Sequence, residues 1–402
     1  MLDKKIIAIL TTSSNYQGLI NVNALLYKKI LKEFKELYII DLQNLILFKK
    51  KKINKKLQFK IKNLKIFKPN SSMELINFFK NKKLVGFNCL GKNFLEFKIH
   101  YVLKKINLTQ ILLLNVGYLS NTIEINKNNI TKTFISLYFL FNKNIARYLF
   151  KFFTLVNIFP KIDYYFDSSK LTIKNMNSSY IRKIEKKFPK VKLSYFRKAI
   201  NINSRGYDQL LEKNNSIEEK YLVFVDSFFE HEDRIARDGI INKKYSVEYY
   251  TSLANFLKKL SKIYNKKVII CIHPKNNSKL FQSYFKNFVV QKYKTQEMIK
   301  KSFISFFHES SSILDAVILK KKIIILRSNL LGNYLSNRVC RYEKMLNLQS
   351  LDINNYHILE KNKLNLMLNS PKKKYNYFIK NYLNTDGVNP GYQKIIKLLK
   401  KI

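Results

Sequence analysis

Acidic residues are scarce in this sequence: 27 Asp and Glu stand against 75 Lys and Arg, a formal net charge of +48 over 402 residues. Cysteine is nearly absent as well. Cys89, Cys271 and Cys340 are widely spaced, odd in number and form no CxxC pair. That argues against a disulfide framework or a structural zinc site and fits a reduced, cytoplasmic protein. No window of 18 uninterrupted apolar residues occurs, so a spanning helix is not expected. The N-terminal MLDKKIIAILTTSS holds an apolar run of only five residues behind an Asp and reads as a first strand rather than a signal peptide. A Walker P-loop and a GxGxxG turn are both missing, which removes support for an ATPase or a dehydrogenase. Nothing repeats at a solenoid period.

What is present is a basic but apolar chain. Hydrophobic residues make up 46% and aromatics 14%, too much for a disordered basic tail. At about 100–200 residues per domain, the length implies two or three domains. The charge suggests a nucleic acid or an anionic membrane as partner. Only nine of the 75 basic residues are arginine, however, and no helix-turn-helix, RRM or zinc-finger signature accompanies them. Readers of phosphate and base edges favour arginine forks, so a nucleic-acid partner is not expected.

Short apolar runs alternate with helical spacing in the second half. Leu222 to Val225, Val268 to Ile272, Phe288 to Val290, Phe303 to Phe307 and Ile323 to Leu326 read as strands. Ser246 to Tyr264, Lys279 to Phe285, Thr295 to Lys300 and Ser311 to Leu319 read as helices. Such all-apolar strands belong in a parallel sheet covered on both faces. The first half repeats the pattern with strands at Ile6 to Leu10, Leu37 to Ile40, Leu84 to Phe87, Ile111 to Leu114 and Ile162 to Phe166, and a Lys-rich insertion or hairpin at 46–68. The expected class is α/β, with two Rossmann-like doubly wound domains facing a cleft. Residues 1–205 form the first domain, 206–383 the second, and 384–402 a C-terminal helix that can cross back to the first.

Ligands in open α/β sheets sit beyond the carboxyl ends of the strands. Three such ends carry unusual residues: Asp226-Ser227 with Glu230-His231-Glu232-Asp233 beyond, Cys271-Ile272-His273-Pro274, and His308-Glu309-Ser310-Ser311-Ser312. The serines stand where a strand turns into a helix. Their hydroxyls and the free N–H groups of a first helical turn suit a phosphate, although simple N-capping by serine is the commoner use. His273 alone is equally ambiguous. The pair says more, because the 37 positions from His273 to Ser310 span helix, strand and helix and bring both motifs to one edge.

IIxxHP followed by HESSSILD resembles the His-Pro and Ser-Ser motifs of bacterial GT-B glycosyltransferases. The similarity is nearest to sialyltransferases and Kdo transferases that build capsules and lipooligosaccharides from CMP-activated sugars, and VFVDSFFEHED and INSRGYDQLL also look like that group. The resemblance covers roughly residues 200 to 330. It implies a GT-B fold, an N-terminal acceptor-binding domain and a C-terminal nucleotide-sugar domain, with His273, Pro274, Ser310, Ser311 and Ser312 at the donor phosphate. TagF-like glycerophosphotransferases, which use CDP-glycerol, share a similar arrangement, and a UDP-sugar is a further alternative. The implied partners are a nucleotide sugar and a glycan or lipid-linked oligosaccharide acceptor. No cofactor is implied beyond the donor itself. No Asp-x-Asp occurs, so a metal-independent scheme is expected.

The sialyltransferases of this kind take their general base from an acidic triplet in the N-terminal domain, which this sequence lacks. Glu96 is the first candidate and Glu124 the second, each against the alternative of a solvated surface carboxylate. Asp226 is a candidate for the donor ribose or for a turn cap. Arg327, following the last strand, is a candidate for an anionic donor carboxylate, against the alternative of an ion pair. Ile145 to Phe159 is rich in aromatics with Arg147 and Lys151 four apart. A buried helix is the first expectation for 15 residues; a helix lying in an anionic bilayer interface, making the protein peripheral on the cytoplasmic membrane, is the second.

Overall fold

The computed structural model describes residues 5–13, 16–34, 36–46, 62–80, 82–106, 108–114, 134–171, 173, 187, 196–211, 219–230, 243–274, 276, 279–368, 372–384 and 389–402. The chain divides into two compact units, each built on one parallel sheet.

The first unit holds seven strands: β1 (Lys5–Thr11), β2 (Leu37–Asp41), β3 (Leu64–Phe67), β4 (Lys83–Asn88), β5 (Leu108–Leu114), β6 (Ile162–Asp167) and β7 (Phe196–Asn201). Their order is β3-β2-β1-β4-β5-β6-β7, and every neighbouring pair is parallel. Its helices are α1 (Tyr16–Val22), α2 (Ala24–Phe34), α3 (Ser72–Phe79), α4 (Phe97–Lys104), α5 (Phe134–Leu155) and α6 (Arg205–Leu211). Helix α3 begins as its sequence dictates. Ser71 Oγ accepts the Glu74 N–H at 3.1 Å and the Glu74 carboxylate reaches back to the Asn70 N–H at 2.7 Å.

Among the described residues, the second unit lies within Leu210–Lys380. It carries β8 (Tyr221–Val225), β9 (Val268–Ile272), β10 (Val289–Lys292), β11 (Ser302–Phe307), β12 (Lys322–Arg327) and β13 (Ser350–Asp352), ordered β10-β9-β8-β11-β12-β13 and all parallel. Between them run α7 (Lys243–Tyr264), α8 (Lys279–Phe285), α9 (Thr295–Lys300), α10 (Ile313–Ile318) and α11 (Gly332–Leu346), followed by α12 (Lys361–Met367) and α13 (Lys372–Phe378). All five residues of β9 are buried, as a central strand covered on both faces requires.

Residues Asn381–Ile402 belong to the first unit. Their helix, α14 (Gly391–Lys401), places Ile395 and Leu399 in the same apolar cluster as Ile7, Ile9 and Phe87. Burying each such side chain contributes about 1.5–3 kcal/mol. The helix start is held as well: the Gly391 N–H donates to Asp208 Oδ2 at 2.7 Å, and Asn203 Nδ2 donates to the Asn389 carbonyl at 2.9 Å. Ion pairing of Lys400 with Glu33 at 2.7 Å ties its far end to α2.

Three strands escape the apolar pattern. β3 lies inside the segment expected as an insertion or hairpin and pairs parallel to β2 instead, while residues 47–61 lie outside the described residues. β7 (FRKAIN) and β13 (SLD) are edge strands with too few apolar residues to stand out. Among the described residues, no helix is long and apolar enough to cross a membrane.

Candidate functional site

In the second sheet β8 comes first in the chain and lies in the middle, with β9 beside it on one side and β11 on the other. The order reverses between β8 and β11, and this reversal leaves a crevice at the carboxyl ends of the strands. Asp226, His273 and the serine segment all follow strands at that edge.

Asp226 organises the edge. It is buried, its Oδ1 accepts the Phe228 N–H at 2.8 Å, and its Oδ2 accepts the His273 N–H at 3.1 Å and Asn276 Nδ2 at 2.9 Å. A carboxylate with three donors is internally satisfied, so what it does here is fix the backbone that presents His273. The half-exposed His273 ring lies against Phe228, centroids 5.8 Å apart and planes 28° from parallel. Phe228 sits at φ 55°, a left-handed conformation rare for a bulky side chain and common around ligand sites. Next to it, Ser227 Oγ donates to the Glu309 carbonyl at 2.7 Å and accepts the Glu309 N–H at 3.3 Å, joining the β8 and β11 loops across the reversal point.

His308, the other histidine of the motif, is structural. It is fully buried, with Nδ1 donating to the Leu326 carbonyl at 2.7 Å and Nε2 hydrogen-bonded to the Tyr249 hydroxyl at 2.8 Å. The serine segment departs from the expected helix start. Helix α10 has only six residues, and the N–H groups of Ile313, Leu314 and Asp315 turn back onto the carbonyls of Ser310, Ser311 and Ser312. The Ser312 N–H donates to Ser310 Oγ at 3.2 Å. Those backbone donors are engaged, and so short a helix has little dipole to offer. The hydroxyls remain: Ser311 is exposed, Ser312 half-buried, and neither side chain makes a hydrogen bond among the described residues. Pro274 is exposed beside His273.

Arg327 is engaged elsewhere. Its guanidinium is bidentate on Glu343, with Nε donating to Oε1 at 2.6 Å and NH2 to Oε2, so the geometry realises the ion pair rather than a fork aimed at a donor. Arg338 forms an ion pair with Glu309, NH2 to Oε1 at 2.5 Å. Glu124, His231 to Asp233, Arg234 and Arg237 lie outside the described residues.

The first sheet has its own reversal, between β1 and β4. Glu96 stands there. It is 4% exposed, not a solvated surface carboxylate, and its Oε1 accepts Thr12 Oγ1 at 2.6 Å while its Oε2 accepts Asn93 Nδ2 at 3.0 Å. Burial pushes its pKa above the usual carboxylate value; the hydrogen bonds from Thr12, the Gly91 N–H and Asn93 oppose that without cancelling it. A Cβ at Gly91 would meet the ends of the Glu96 and Asn93 side chains, so a larger residue here would have to displace the carboxylate. Below it, buried His100 donates from Nε2 to the Gly91 carbonyl at 3.0 Å. Desolvation lowers His100 to about 4, which leaves it neutral and able to brace the loop. Among the described residues, no group of three His, Cys, Asp or Glu side chains is placed to hold a metal ion.

No protein-family model matches the chain, and no curated protein matches it in sequence. Solved structures do. A variant of the wall teichoic acid polymerase TagF superposes over 99% of this chain and 89% of its own, with a TM-score of 0.59 and 13% identity. The chain has the GT-B fold. Another TagF variant, soaked with CDPG, covers 99% of this chain and 88% of its own at a TM-score of 0.56 and 14% identity. A Staphylococcus aureus MnaA–UDP structure covers 98% and 96% at a TM-score of 0.50 and 12% identity. At such identities the likeness concerns the fold alone.

Sequence reasoning missed the residues that hold the candidates in place. Thr12 and Asn93 position Glu96, and Asn276 and Ser227 position the loops around His273. Asn93 carried a usable signal, since Asn-x-x-Glu before a helix is a capping signature, and Asn93 Oδ1 accepts the Glu96 N–H at 3.2 Å. Thr12 carried none, being 84 positions from its partner.

Proposed function

We propose that the protein is a glycosyltransferase that takes its donor as a cytidine nucleotide, first of all a CMP-activated sugar of the sialic acid or Kdo kind, and extends a surface glycan or lipid-linked oligosaccharide. The observation that carries this reading is that His273 and Ser310 to Ser312 follow the two strands flanking β8, at the edge where doubly wound sheets bind ligands. His273 and the Ser311 and Ser312 hydroxyls are assigned to the donor phosphate, and Asp226 to positioning His273. Arg327 is not assigned a donor contact.

In the reaction so assigned, the bond between the anomeric carbon and the phosphate oxygen breaks, and its electron pair leaves with CMP. Negative charge grows on that phosphate, where hydroxyl donors and the His273 ring stabilise it or supply a proton. The acceptor hydroxyl oxygen bonds to the anomeric carbon and gives up its proton, for which Glu96 is the assigned base. Its raised pKa makes the carboxylate a stronger base than an exposed glutamate.

CDP-glycerol is the second reading, favoured by the TagF structures, one of them soaked with CDPG. A UDP-sugar is the third, in keeping with the MnaA–UDP structure. Thermal melting with CMP, CDP, UDP and GDP separates them, and His273→Ala should abolish the nucleotide-dependent shift. A shift with UDP and none with CMP or CDP would overturn the cytidine assignment. Supplying a CMP-sugar and CDP-glycerol in turn then distinguishes the two cytidine donors by which of them is consumed, since transfer of the sugar and transfer of glycerol phosphate to the acceptor both release CMP.

A further inference from the structure

Helix α5 has an unusual outer face. Residues 134–159 contain no Asp or Glu. Among the residues of its second half whose burial is described, 145–155, those turned to solvent are Arg147, Tyr148, Lys151, Phe152 and Leu155, spaced three and four apart so that they form one stripe. Tyr148 is 71% exposed and Phe152 54%. The opposite stripe, Ala146, Phe150 and Thr154, is buried. A helix covering a soluble domain puts polar residues on its outer face. Over 145–155 this one has a buried face and an aromatic, basic solvent face.

The exposed aromatics continue onto the neighbouring segment. Phe97 of α4 lies 5.9 Å from Phe153 and 5.3 Å from Phe94, and Lys104 Nζ donates to Asn157 Oδ1 at 2.6 Å, so α4 and the end of α5 form one surface. Phe94 and Leu95, both exposed, extend it. The next residue is Glu96. Cations gather here too: Lys92 Nζ stands 5.4 Å from the Phe150 ring centroid and Lys151 Nζ 5.9 Å from that of Tyr148. Burial, then repulsion from Lys151 and Arg147, lowers Lys92 to about 8. An anion beside the three would relieve that repulsion.

We infer that Phe94, Leu95, Tyr148, Phe152 and Leu155, with Arg147 and Lys151 among them, dock the protein on an anionic lipid bilayer, and that the loop entering the interface is the one that carries Glu96. Exposed aromatics beside cations, with no acidic residue in the helix, match an interface of acyl chains under anionic headgroups. A nucleic acid would use the cations and leave the apolar stripe in water. Docking presents Glu96 at the bilayer surface, where the hydroxyl of a lipid-linked acceptor is found; that last step rests on the assignment of Glu96 as base, whereas the docking does not.

The absence of tryptophan supplies the test. Phe152→Trp in the full chain is a single-site reporter, and Tyr293→Trp, at a 70% exposed position in the second unit, is its control. Each is titrated with vesicles of phosphatidylcholine alone or mixed with phosphatidylglycerol, with and without brominated acyl chains. The expected result is a blue shift and bromine quenching for Phe152→Trp on the anionic vesicles and neither for Tyr293→Trp. Unchanged Phe152→Trp emission on vesicles that do bind the protein would mean that its general positive charge holds it, and would overturn the inference, as would no binding at all. In a second arm, the paired substitutions Tyr148→Ser and Phe152→Ser keep every charge and should weaken vesicle partitioning by about tenfold or more. Undiminished partitioning would also overturn it. The CMP-dependent melting shift, measured separately, reports on the transferase reading, so either can fail without the other.

Discussion

Lowering the pH from about 7 to about 4 should weaken the first unit through His100. In the folded chain this ring is buried against Phe150 and Phe159, 4.7 and 5.7 Å between centroids, with Nε2 on the Gly91 carbonyl. Burial, and then the nearby charge of Lys92, hold its pKa at about 4. In the unfolded chain a histidine titrates near 6.5. Between those two values the unfolded state binds the extra proton, so stability is fully present above the unfolded value and falls as the pH drops through the window. Each pH unit costs about 1.4 kcal/mol, and the whole window about 3 kcal/mol. Urea melts followed by circular dichroism at several pH values, for the wild type and for His100→Gln, isolate this contribution because the other titrating groups are common to both. The wild type should lose about 3 kcal/mol more than the variant on acidification. Parallel pH dependences would refute the reasoning.

Three further outcomes follow from the same geometry. Thr12→Val removes a hydrogen bond that stabilises the Glu96 anion, so the acid limb of the transfer rate should move to higher pH; Glu96→Gln should remove transfer while leaving CMP binding intact, and an unmoved pH profile in the first variant would count against Glu96 as base. Asp226→Ala leaves one buried and two half-buried donors without their acceptor and should cost a few kcal/mol, with roughly 1–3 kcal/mol for a donor left buried and unpaired, together with a smaller CMP-dependent melting shift. Leu399→Ala should destabilise the first unit by about 2–5 kcal/mol in urea melts.

The second sheet was legible because its central strands are buried on both faces and therefore nearly all apolar: VIICI and KIIILR announce themselves. Edge strands β7 and β13 need only one covered face and a single hydrogen-bonded neighbour, so their residues are mixed and their pattern is weak. The His273 and serine positions were readable because strand ends in this architecture are predictable from the alternation alone. How their atoms are engaged was not. The ion pair weighed for Arg327 is the outcome, but its partner Glu343, sixteen residues on, was not readable, and the serines close a tight turn in place of a longer helix. The burial of Glu96 likewise depends on Thr12 and on the Gly91 loop, contacts that a local reading does not contain.

The return of α14 to the first unit also bears on how the chain is made. Residues Leu210–Lys380 are contiguous and carry the whole second sheet, so that unit can form as soon as it has been synthesised. The first unit cannot finish at that moment. Its apolar cluster includes Ile395 and Leu399, which leave the ribosome only after the second unit has done so, and until they arrive Ile7, Ile9 and Phe87 lack part of their cover. The first sheet, though begun before the second, is thus completed after it, and a nascent chain stalled before residue 391 carries an exposed apolar seam that a chaperone, or another such chain, would meet first.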